Sequence, residues 1–329
     1  MIQRQQIVLL VLLLALTLLG FLISFSSGSS QLGLSEVIAQ FLNPSPGLEQ
    51  QILWELRIPR SIAAFVTGAL LAMSGVIMQV LLRNPLADPY ILGISGGSAV
   101  AALSAISLGL GGYWVSYAAF FGALFSIVIV FGLARSSHNW SATRLLLTGI
   151  VVSAGWGAVI NILLTTSANN SVYSMLFWLM GDLSVSRAGF VSILILVLGL
   201  LGMMYFARAL NVLSRGDLQA SALGVNVPRL KLILYFTASV LTACAVSIAG
   251  TIGFVGLVIP HMLRLLGARD HRVLIPASLL LGGNFLMIAD SFARTVIAPQ
   301  QLPVGVVTAV IGVPVFLLIL RHTGKRIRE

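Results

Sequence analysis

The stretch that decides the fold is Leu232–Leu263, LILYFTASVLTACAVSIAGTIGFVGLVIPHML, in which 32 consecutive residues include no Asp, Glu, Lys or Arg. A membrane-spanning helix needs about 20 apolar residues, so this stretch is too long for one helix at ordinary tilt. Its second half is interrupted by three glycines and a proline: Gly250, Gly253, Gly256 and Pro260. We therefore predict two spans, at about 230–249 and, shorter, at about 254–266.

Eight further apolar runs surround this stretch, and together they predict an all-α polytopic membrane protein with about ten transmembrane helices in one domain, 1–329. The first run is longer than the apolar core of a usual signal peptide, which favours a retained helix over a cleaved signal. The interval Glu36–Gln51 is polar, and Asn43–Gly47 is a loop signal within it. The eight runs lie at about 7–25, 61–82, 90–110, 114–134, 144–166, 188–207, 273–292 and 303–320.

The composition agrees with a membrane protein and excludes other classes. Hydrophobic residues make up 58% of the chain and charged residues 9%, whereas a soluble domain is roughly a quarter charged. A soluble surface cannot hide so many apolar side chains, which excludes a soluble enzyme, a disordered chain and a fibrous protein. The single cysteine, Cys244, excludes an internal disulfide framework and a multi-cysteine metal cluster.

The net charge of +10 indicates topology. With both termini in the cytoplasm, ten helices place 15 of the 19 basic residues on the cytoplasmic side, as the positive-inside rule requires. Contact with anionic membrane lipid is a side effect of this bias, and no nucleic-acid partner is predicted. The four basic residues predicted outside are Arg57, Arg60, Arg187 and Arg294.

Catalytic and nucleotide-binding motifs are missing. The sequence has no Gly-x-x-x-x-Gly-Lys-Ser/Thr loop and no His-Glu-x-x-His zinc motif, so we predict no metal site and no cofactor. The glycine-rich stretch Gly93–Ser98 indicates close helix packing. Mid-membrane carboxylates are nearly absent, and Asp290 lies near a helix end, which disfavours a proton-coupled secondary transporter, the alternative we retain. Energy, if used, would come from another chain.

Two arginines break the charge bias at the predicted outer start of the second helix. Arg57 and Arg60 share a helix face, and two positive charges are unfavourable at the positive end of a helix dipole. Because the guanidinium group suits carboxylates, we predict a docking point for an external acidic partner, which Arg294 joins. The alternatives are snorkelling or pairing with Glu55 and, for Arg294, an ion pair with Asp290 at i, i+4.

Two cytoplasmic segments have definite local patterns. Arg83–Pro89, RNPLADP, predicts a stiff turn between the second and third spans. Asp217–Gly224, DLQASALG, predicts a short helix closed by glycine, with Leu218 and Leu223 as apolar contacts. Such a helix is marginal alone in water, so we expect it to pack on its own bundle or on another protein.

In this order, these segments resemble the FecCD-type permease subunit of ABC importers for iron–siderophore complexes, haem and vitamin B12. The resemblance extends from about Trp54 to Leu320. Met180–Ser184 departs from the vitamin B12 permease pattern, so the resemblance does not single out vitamin B12. The stretches that carry it are Arg57–Arg60, Ala69–Gln79, Asn84–Pro89, Leu92–Ser95, Gly216–Gly224, Gly250–His261, Asp270–Arg272 and Leu302–Thr308.

The resemblance implies a type II ABC importer permease fold in the bacterial cytoplasmic (inner) membrane. It implies a homodimer with the substrate pathway between the copies, two cytoplasmic ATPase subunits, and a periplasmic or lipid-anchored binding protein. The chain would not be an enzyme, because ATP hydrolysis is expected in the separate ATPase. The cargo would be a metal chelate moved by alternating access; ferric siderophore, haem and cobalamin stay open.

The resemblance also implies roles for individual residues. Arg57, Arg60 and Arg294 match outer arginines that meet glutamates of the binding protein. The positions matching the ATPase-coupling segment are Asp217, Leu218, Ala220, Leu223 and Gly224. The positions matching the cytoplasmic gate are Asn84, Leu86, Ala142 and Thr143.

Overall fold

The computed structural model describes residues 4–28, 33–43, 46–134, 142–184, 186 and 188–326. Over these residues the regular structure is entirely helical: fourteen α-helices, the π-helix Ile52–Arg57 and the 3-10 helix Pro89–Leu92. The α-helices are α1 (Arg4–Ser26), α2 (Leu34–Leu42), α3 (Leu48–Gln51), α4 (Ile58–Leu81), α5 (Ile94–Ser107), α6 (Tyr113–Ala134), α7 (Ala142–Thr166), α8 (Asn169–Met180), α9 (Phe190–Leu213), α10 (Asp217–Ala222), α11 (Val227–Ala249), α12 (Val255–Leu265), α13 (His271–Thr295) and α14 (Val304–Arg326).

Each of the ten predicted spans coincides with one of these helices. Within the described residues, seven helices are long and apolar enough to cross a membrane, among them the continuous helical stretch Leu48–Leu81 that ends with α4. The other three predicted spans correspond to shorter apolar helices, Ile94–Ser107, Val255–Leu265 and Val304–Ile319. The all-α polytopic class is therefore confirmed.

The long uncharged stretch divides where its glycines predict. α11 ends at Ala249, and the next residue, Gly250, has a φ of 68°. A Cβ at Gly250 would meet the carbonyl oxygen of Trp178, so the chain leaves the helix here through a conformation and a gap that only glycine fits. Phe254, with a φ of 70°, precedes the first residue of α12. The 32-residue run thus forms one long helix and one short one.

The centre of the bundle is α4. In its apolar window 89% of the residues are buried, against 11% in α7. Gly68 of α4 faces Gly282 of α13, and Gly75 of α4 faces Gly256 of α12; a Cβ on either α4 glycine would strike the facing carbonyl. In lipid, where the hydrophobic effect does not drive helix association, such small-residue contacts permit close packing. α4 thereby approaches α13 closely at Gly68 and α12 closely at Gly75.

The interval Glu36–Gln51 contains more helix than its loop signal indicates. α2 precedes Asn43 and α3 follows Gly47. The apolar residues of α2 recur with helical spacing, which is the local signal for this helix. Phe41 packs against Phe25 of α1 and against Trp54, with ring centroids 6.1 and 5.5 Å apart. This short helix therefore covers the end of α1 rather than leaving it open.

Candidate functional sites at the two ends of the bundle

α4 and α13 run through the bundle in opposite directions and define its two ends. Arg60 lies in the first turn of α4, beside Asp290 and Arg294 near the end of α13. Arg83 follows α4 at the opposite end, and Asp270 precedes α13 there. We call these the Arg60 end and the Arg83 end; the length of α4 separates them by about 35 Å at ~1.5 Å per residue.

A single carboxylate organises the Arg60 end. Asp290 is fully buried, and Arg60 donates from Nε to both of its oxygens at 3.1 Å and from Nη2 to Oδ1 at 2.8 Å. Nε of Arg294 forms an ion pair with Oδ2 at 3.2 Å. Nη1 of Arg60 also donates to Oε1 of Gln301 at 2.6 Å. One buried acid therefore neutralises part of the charge of two buried arginines.

Further arginine hydrogen bonds reach the end of α1, beside one from Nη2 of Arg294 to Oγ of Ser291 within α13 at 3.2 Å. Nη1 of Arg57 donates to the carbonyl oxygen of Phe25 at 2.7 Å, and Nη2 of Arg294 donates to the carbonyl oxygen of Ser24 at 3.3 Å. Carbonyls in a last helical turn lack intrahelical partners and lie at the negative end of the helix dipole. Gly28 leaves room for the guanidinium of Arg57. Arg57, just before α4, and Arg294, near the end of α13, therefore both bond to the end of α1.

The structure brings the three predicted docking arginines together but turns them inward. Arg57, Arg60 and Arg294 are 4, 8 and 6% exposed. The Asp290 pair considered as an alternative for Arg294 is present, whereas Arg60 pairs with this same aspartate, which no local spacing indicates. Docking by these arginines stays a prediction. The fourth basic residue predicted outside, Arg187, lies outside the described residues.

At the Arg83 end, α10 is a short helix closed by glycine, as the sequence predicts. Gly224 has a φ of 81° and donates its N–H to the carbonyl oxygen of Ser221 at 3.0 Å, while the N–H of Val225 donates to that of Ala220 at 3.0 Å. This is the Schellman pattern of helix termination. Ala220 is fully buried, whereas Leu218 and Leu223 are 89 and 71% exposed. α10 therefore packs on its own bundle and also presents two leucines outward.

Charged side chains fix the start of α10. Asp217 forms ion pairs with Arg83, which follows α4, and with Nζ of Lys231 in α11 at 2.6 Å. Burial raises the pKa of Asp217, but the hydrogen bonds and charges of Lys231 and Arg83 outweigh it and hold the pKa below its ordinary value. The helix that presents Leu218 is thus tied to two long helices.

The loop after α4 is the turn that its prolines predict. Oδ1 of Asn84 accepts a hydrogen bond from the N–H of Leu86 at 2.9 Å. Asp88 accepts one from the N–H of Tyr90 at 2.8 Å and so caps the 3-10 helix; burial raises the pKa of Asp88 to about 6, against the lowering effect of that bond. The next segment packs on α7, where a Cβ at Gly149 would meet the backbone of the 3-10 helix.

The other half of the predicted gate lies at the start of α7. Thr143 is exposed in the first turn, and the side chain of Ala142 lies outside what the structure describes. A gate between two copies stays a prediction for all four positions. Elsewhere in the described part of the chain, no group of three or more His, Cys, Asp or Glu side chains is placed to hold a metal ion.

Known proteins resemble this chain over nearly its whole length. Residues 16–322 match the model of the FecCD transport family. The hemin transport system permease protein HmuU of Yersinia pestis is 40% identical over 321 residues, 94% of this chain and 96% of the relative. The cobalamin import system permease protein BtuC of Halobacterium salinarum is 43% identical over 284 residues, 85% of this chain and 76% of the relative.

A solved structure agrees with these sequence matches. It is an inward-facing conformation of a metal-chelate type ABC transporter, and it superposes on this chain with a TM-score of 0.83 at 30% sequence identity. The superposition covers 96% of this chain and 99% of the solved one. The helical architecture described above is therefore shared along the whole of that chain.

Proposed function

The chain belongs to the FecCD transport family and is a permease subunit of an ABC importer, and we propose that two copies form the membrane pathway for a metal chelate. The haem and cobalamin named for the two relatives support this class of cargo. The proposed complex includes two cytoplasmic ATPase subunits and an external substrate-binding protein. Nucleotide in the ATPase would favour one geometry of the seam between the copies, which gives alternating access.

The exposed leucines of α10 carry this proposal within the chain itself. Leu218 and Leu223 stand out from a helix that is closed by glycine, anchored by Asp217 and packed through Ala220. Large apolar side chains held outward on a fixed base are typical of a binding surface rather than of a solvated turn. We assign this surface to the ATPase subunit, with Gly224 setting the end of the helix.

The proposed orientation of the chain rests on its charges. The positive-inside rule assigns the Arg83 end to the cytoplasm and the Arg60 end to the outside. Both termini would then be cytoplasmic. The turn of Asn84 and Leu86, with Ala142 and Thr143, would lie at the cytoplasmic mouth of the pathway and close it in one state.

The second copy is proposed to face α7. This helix is the least covered of the long spans, with 11% of its apolar window buried. Its exposed residues include Asn161 and Thr165 as well as the small residues Ala154 and Gly155. Amide side chains are unfavourable against lipid, and small residues allow close helix approach, so this face suits a protein seam or a water-filled pathway better than lipid tails.

The Arg60 end is proposed to receive the binding protein. The three arginines and Asp290 together carry a formal charge of +2, that is, three positive and one negative, on a face that topology assigns to the outside. Positive potential attracts an acidic partner even where the guanidiniums are buried. In this proposal the docking face owes its positive charge to three arginines that themselves bond within the chain: Arg57, Arg60 and Arg294.

Reconstitution tests the function against its alternative. We expect vesicles that contain the permease, its ATPase and its binding protein to take up haem, cobalamin or a ferric siderophore only with ATP. Uptake by the permease alone on a proton gradient would contradict the proposal and support the secondary transporter. That alternative also lacks an available acid at Asp290, whose two oxygens already accept hydrogen bonds from Arg60.

A further inference from the structure

One amide side chain joins the end of α9, just before the predicted coupling helix α10, to the start of α13. Nδ2 of Asn211, near the end of α9, donates to Oδ1 of Asp270 at 2.7 Å. Its Oδ1 accepts the backbone N–H of His271 at 2.9 Å and lies 2.6 Å from Nδ1 of the same residue. Because an amide oxygen only accepts, Nδ1 carries the proton in this contact. Asn211 therefore uses both ends of its amide on α13.

The same carboxylate also caps α13. Oδ1 of Asp270 accepts the N–H of Arg272 at 2.9 Å, which satisfies one of the free N–H groups in the first turn. Asn211 thus holds both the capping side chain and the backbone of the first helical residue. Two directional hydrogen bonds to a helix start fix its rotation as well as its position, which an apolar contact does not do.

Asn211 stands at the entrance to α10. α9 ends at Leu213, and α10 begins at Asp217 after a short connection. Asp217 links α10 to α4 through Arg83 and to α11 through Lys231. Asn211, in α9 just before α10, supplies the third link, to α13. The segment around α10 is therefore tied to three long helices.

α13 leads from this segment to the opposite end of the bundle. From His271 to Asp290 it rises about 30 Å at ~1.5 Å per residue. Its middle lies against α4 at Gly282, and its far end is held by the ion pairs of Asp290 with Arg60 and Arg294. Arg294 in turn donates to the end of α1. Hydrogen-bond networks joined by a closely packed helix are a physical route for coupling between distant sites.

We infer that Asn211 is a positioning residue that transmits movement of α10 to α13, and through α13 to the Asp290 cluster and the end of α1. This inference rests on the proposed function, because α10 moves only if an ATPase subunit binds it. It assigns to Asn211, Asp270 and His271 a joint role that the exposed coupling residues do not have: they carry the displacement, and they do not make the ATPase contact.

A charge swap tests the link without deleting the side chains. N211D places two carboxylates against each other and should break it. The double variant N211D/D270N restores a donor opposite an acceptor, and it keeps the cap of α13 because asparagine and aspartate are about equally good N-caps. D270N alone keeps every acceptor that Asn211 and Arg272 use, so it is the matched control.

Hydrogen–deuterium exchange of the full-length permease in lipid nanodiscs gives the first readout. In N211D we expect exchange to rise at least threefold in α10 and the start of α13, and also at the end of α1, with return to the native rates in the double variant. A rise confined to the Arg83 end would overturn transmission and leave a local structural role. Transmission would also be overturned if the double variant did not restore the native exchange rate at the end of α1.

The assembled importer gives the second readout. We expect N211D to retain the ATPase on co-purification but to lose at least fivefold in uptake per ATP hydrolysed, with recovery in the double variant. Unchanged uptake per ATP in N211D would overturn the inference. If the native permease bound no ATPase, the proposed function would fail. The exchange experiment needs no ATPase, so it would still show whether the contact of Asn211 with Asp270 and His271 transmits a change to the end of α1.

Discussion

The two ends of the bundle differ in how deeply their charged side chains are buried. At the Arg60 end, Arg60, Asp290 and Arg294 are buried and bond to one another or to α1. At the Arg83 end, Asp217 is 42% exposed in its side chain, and the nearby Leu218 of α10 is 89% exposed. At the Arg60 end the buried arginines bond to groups of the same chain, whereas at the Arg83 end apolar side chains are exposed that nothing in the described chain covers.

The buried arginines and the exposed leucines therefore differ in how strongly they support a partner protein. The three buried arginines already form hydrogen bonds or ion pairs within the chain, so they support a partner only through the potential they create. Exposed leucines on an anchored helix have no such internal explanation. The energetic consequence is also opposite: removing one member of a buried ion pair costs about 3–5 kcal/mol, whereas an exposed pair contributes about 0–1 kcal/mol. Substitutions at the two ends should therefore produce different symptoms.

The largest effect is expected for Asp290→Ala. It leaves Arg60 and Arg294 without their shared carboxylate in a buried site, which should cost about 3–5 kcal/mol. The expected result is a large fall in thermal unfolding temperature and in the yield of monodisperse protein in detergent. Asp217→Ala is the matched control at the other end, where the loss should be under about 1 kcal/mol. Equal stability losses in the two variants would contradict the contrast between the ends.

The next effect is expected for Leu223→Asp combined with Leu218→Asp. Both side chains are exposed, so the fold should be unaffected, but a charge in an apolar contact should lower ATPase affinity by at least about 30-fold, or ~2 kcal/mol. Pull-down of the ATPase by the permease measures this loss. Leu108→Asp is the control, since Leu108 is 77% exposed but follows α5 at the Arg60 end. Retention of the ATPase by the double variant would remove the coupling assignment.

The sequence predicts what is encoded locally. The spans are apolar runs, α10 is marked by Gly224, and the Arg294–Asp290 pair follows from its i, i+4 spacing. The helical spacing in α2 is also a local signal, but the turn residues beside Asn43 indicate a loop, and that prediction is incomplete.

Other contacts have no local signal. Arg60 and Asp290 are 230 positions apart, and Asn211 and Asp270 are 59 apart, so only the packing of α13 against its neighbours brings them together. The inward direction of the three arginines also depends on the position of α1, which hydropathy does not specify. Charge patterning can locate the cluster at one end of the bundle but not its hydrogen-bond partners.

A smaller effect is expected for Arg57→Gln. It removes the guanidinium that donates to Phe25 but leaves the Asp290 cluster intact, so stability should fall by only about 1 kcal/mol. If the Arg60 end attracts an acidic binding protein, the association rate should also fall by about two- to fivefold at low salt and less at high salt. Surface plasmon resonance on nanodiscs measures both rates. An unchanged association rate at low salt would remove Arg57 from the docking face.

The smallest effect is expected from the titration of Asp217. Its pKa is lowered in the folded chain, so its ion pairs add stability that is fully present above the ordinary pKa of about 3.9 and is lost as the pH falls through the folded value. Unfolding temperatures of the native chain and Asp217→Asn should therefore differ slightly and constantly from about pH 5 to 8, and the difference should shrink as the pH falls below about 4 and through the folded pKa. Because the side chain is 42% exposed, solvent screening keeps the difference under about 1 kcal/mol. A difference that grew on acidification would mean that the lowered pKa is wrong, and with it the anchoring of α10 by Arg83 and Lys231.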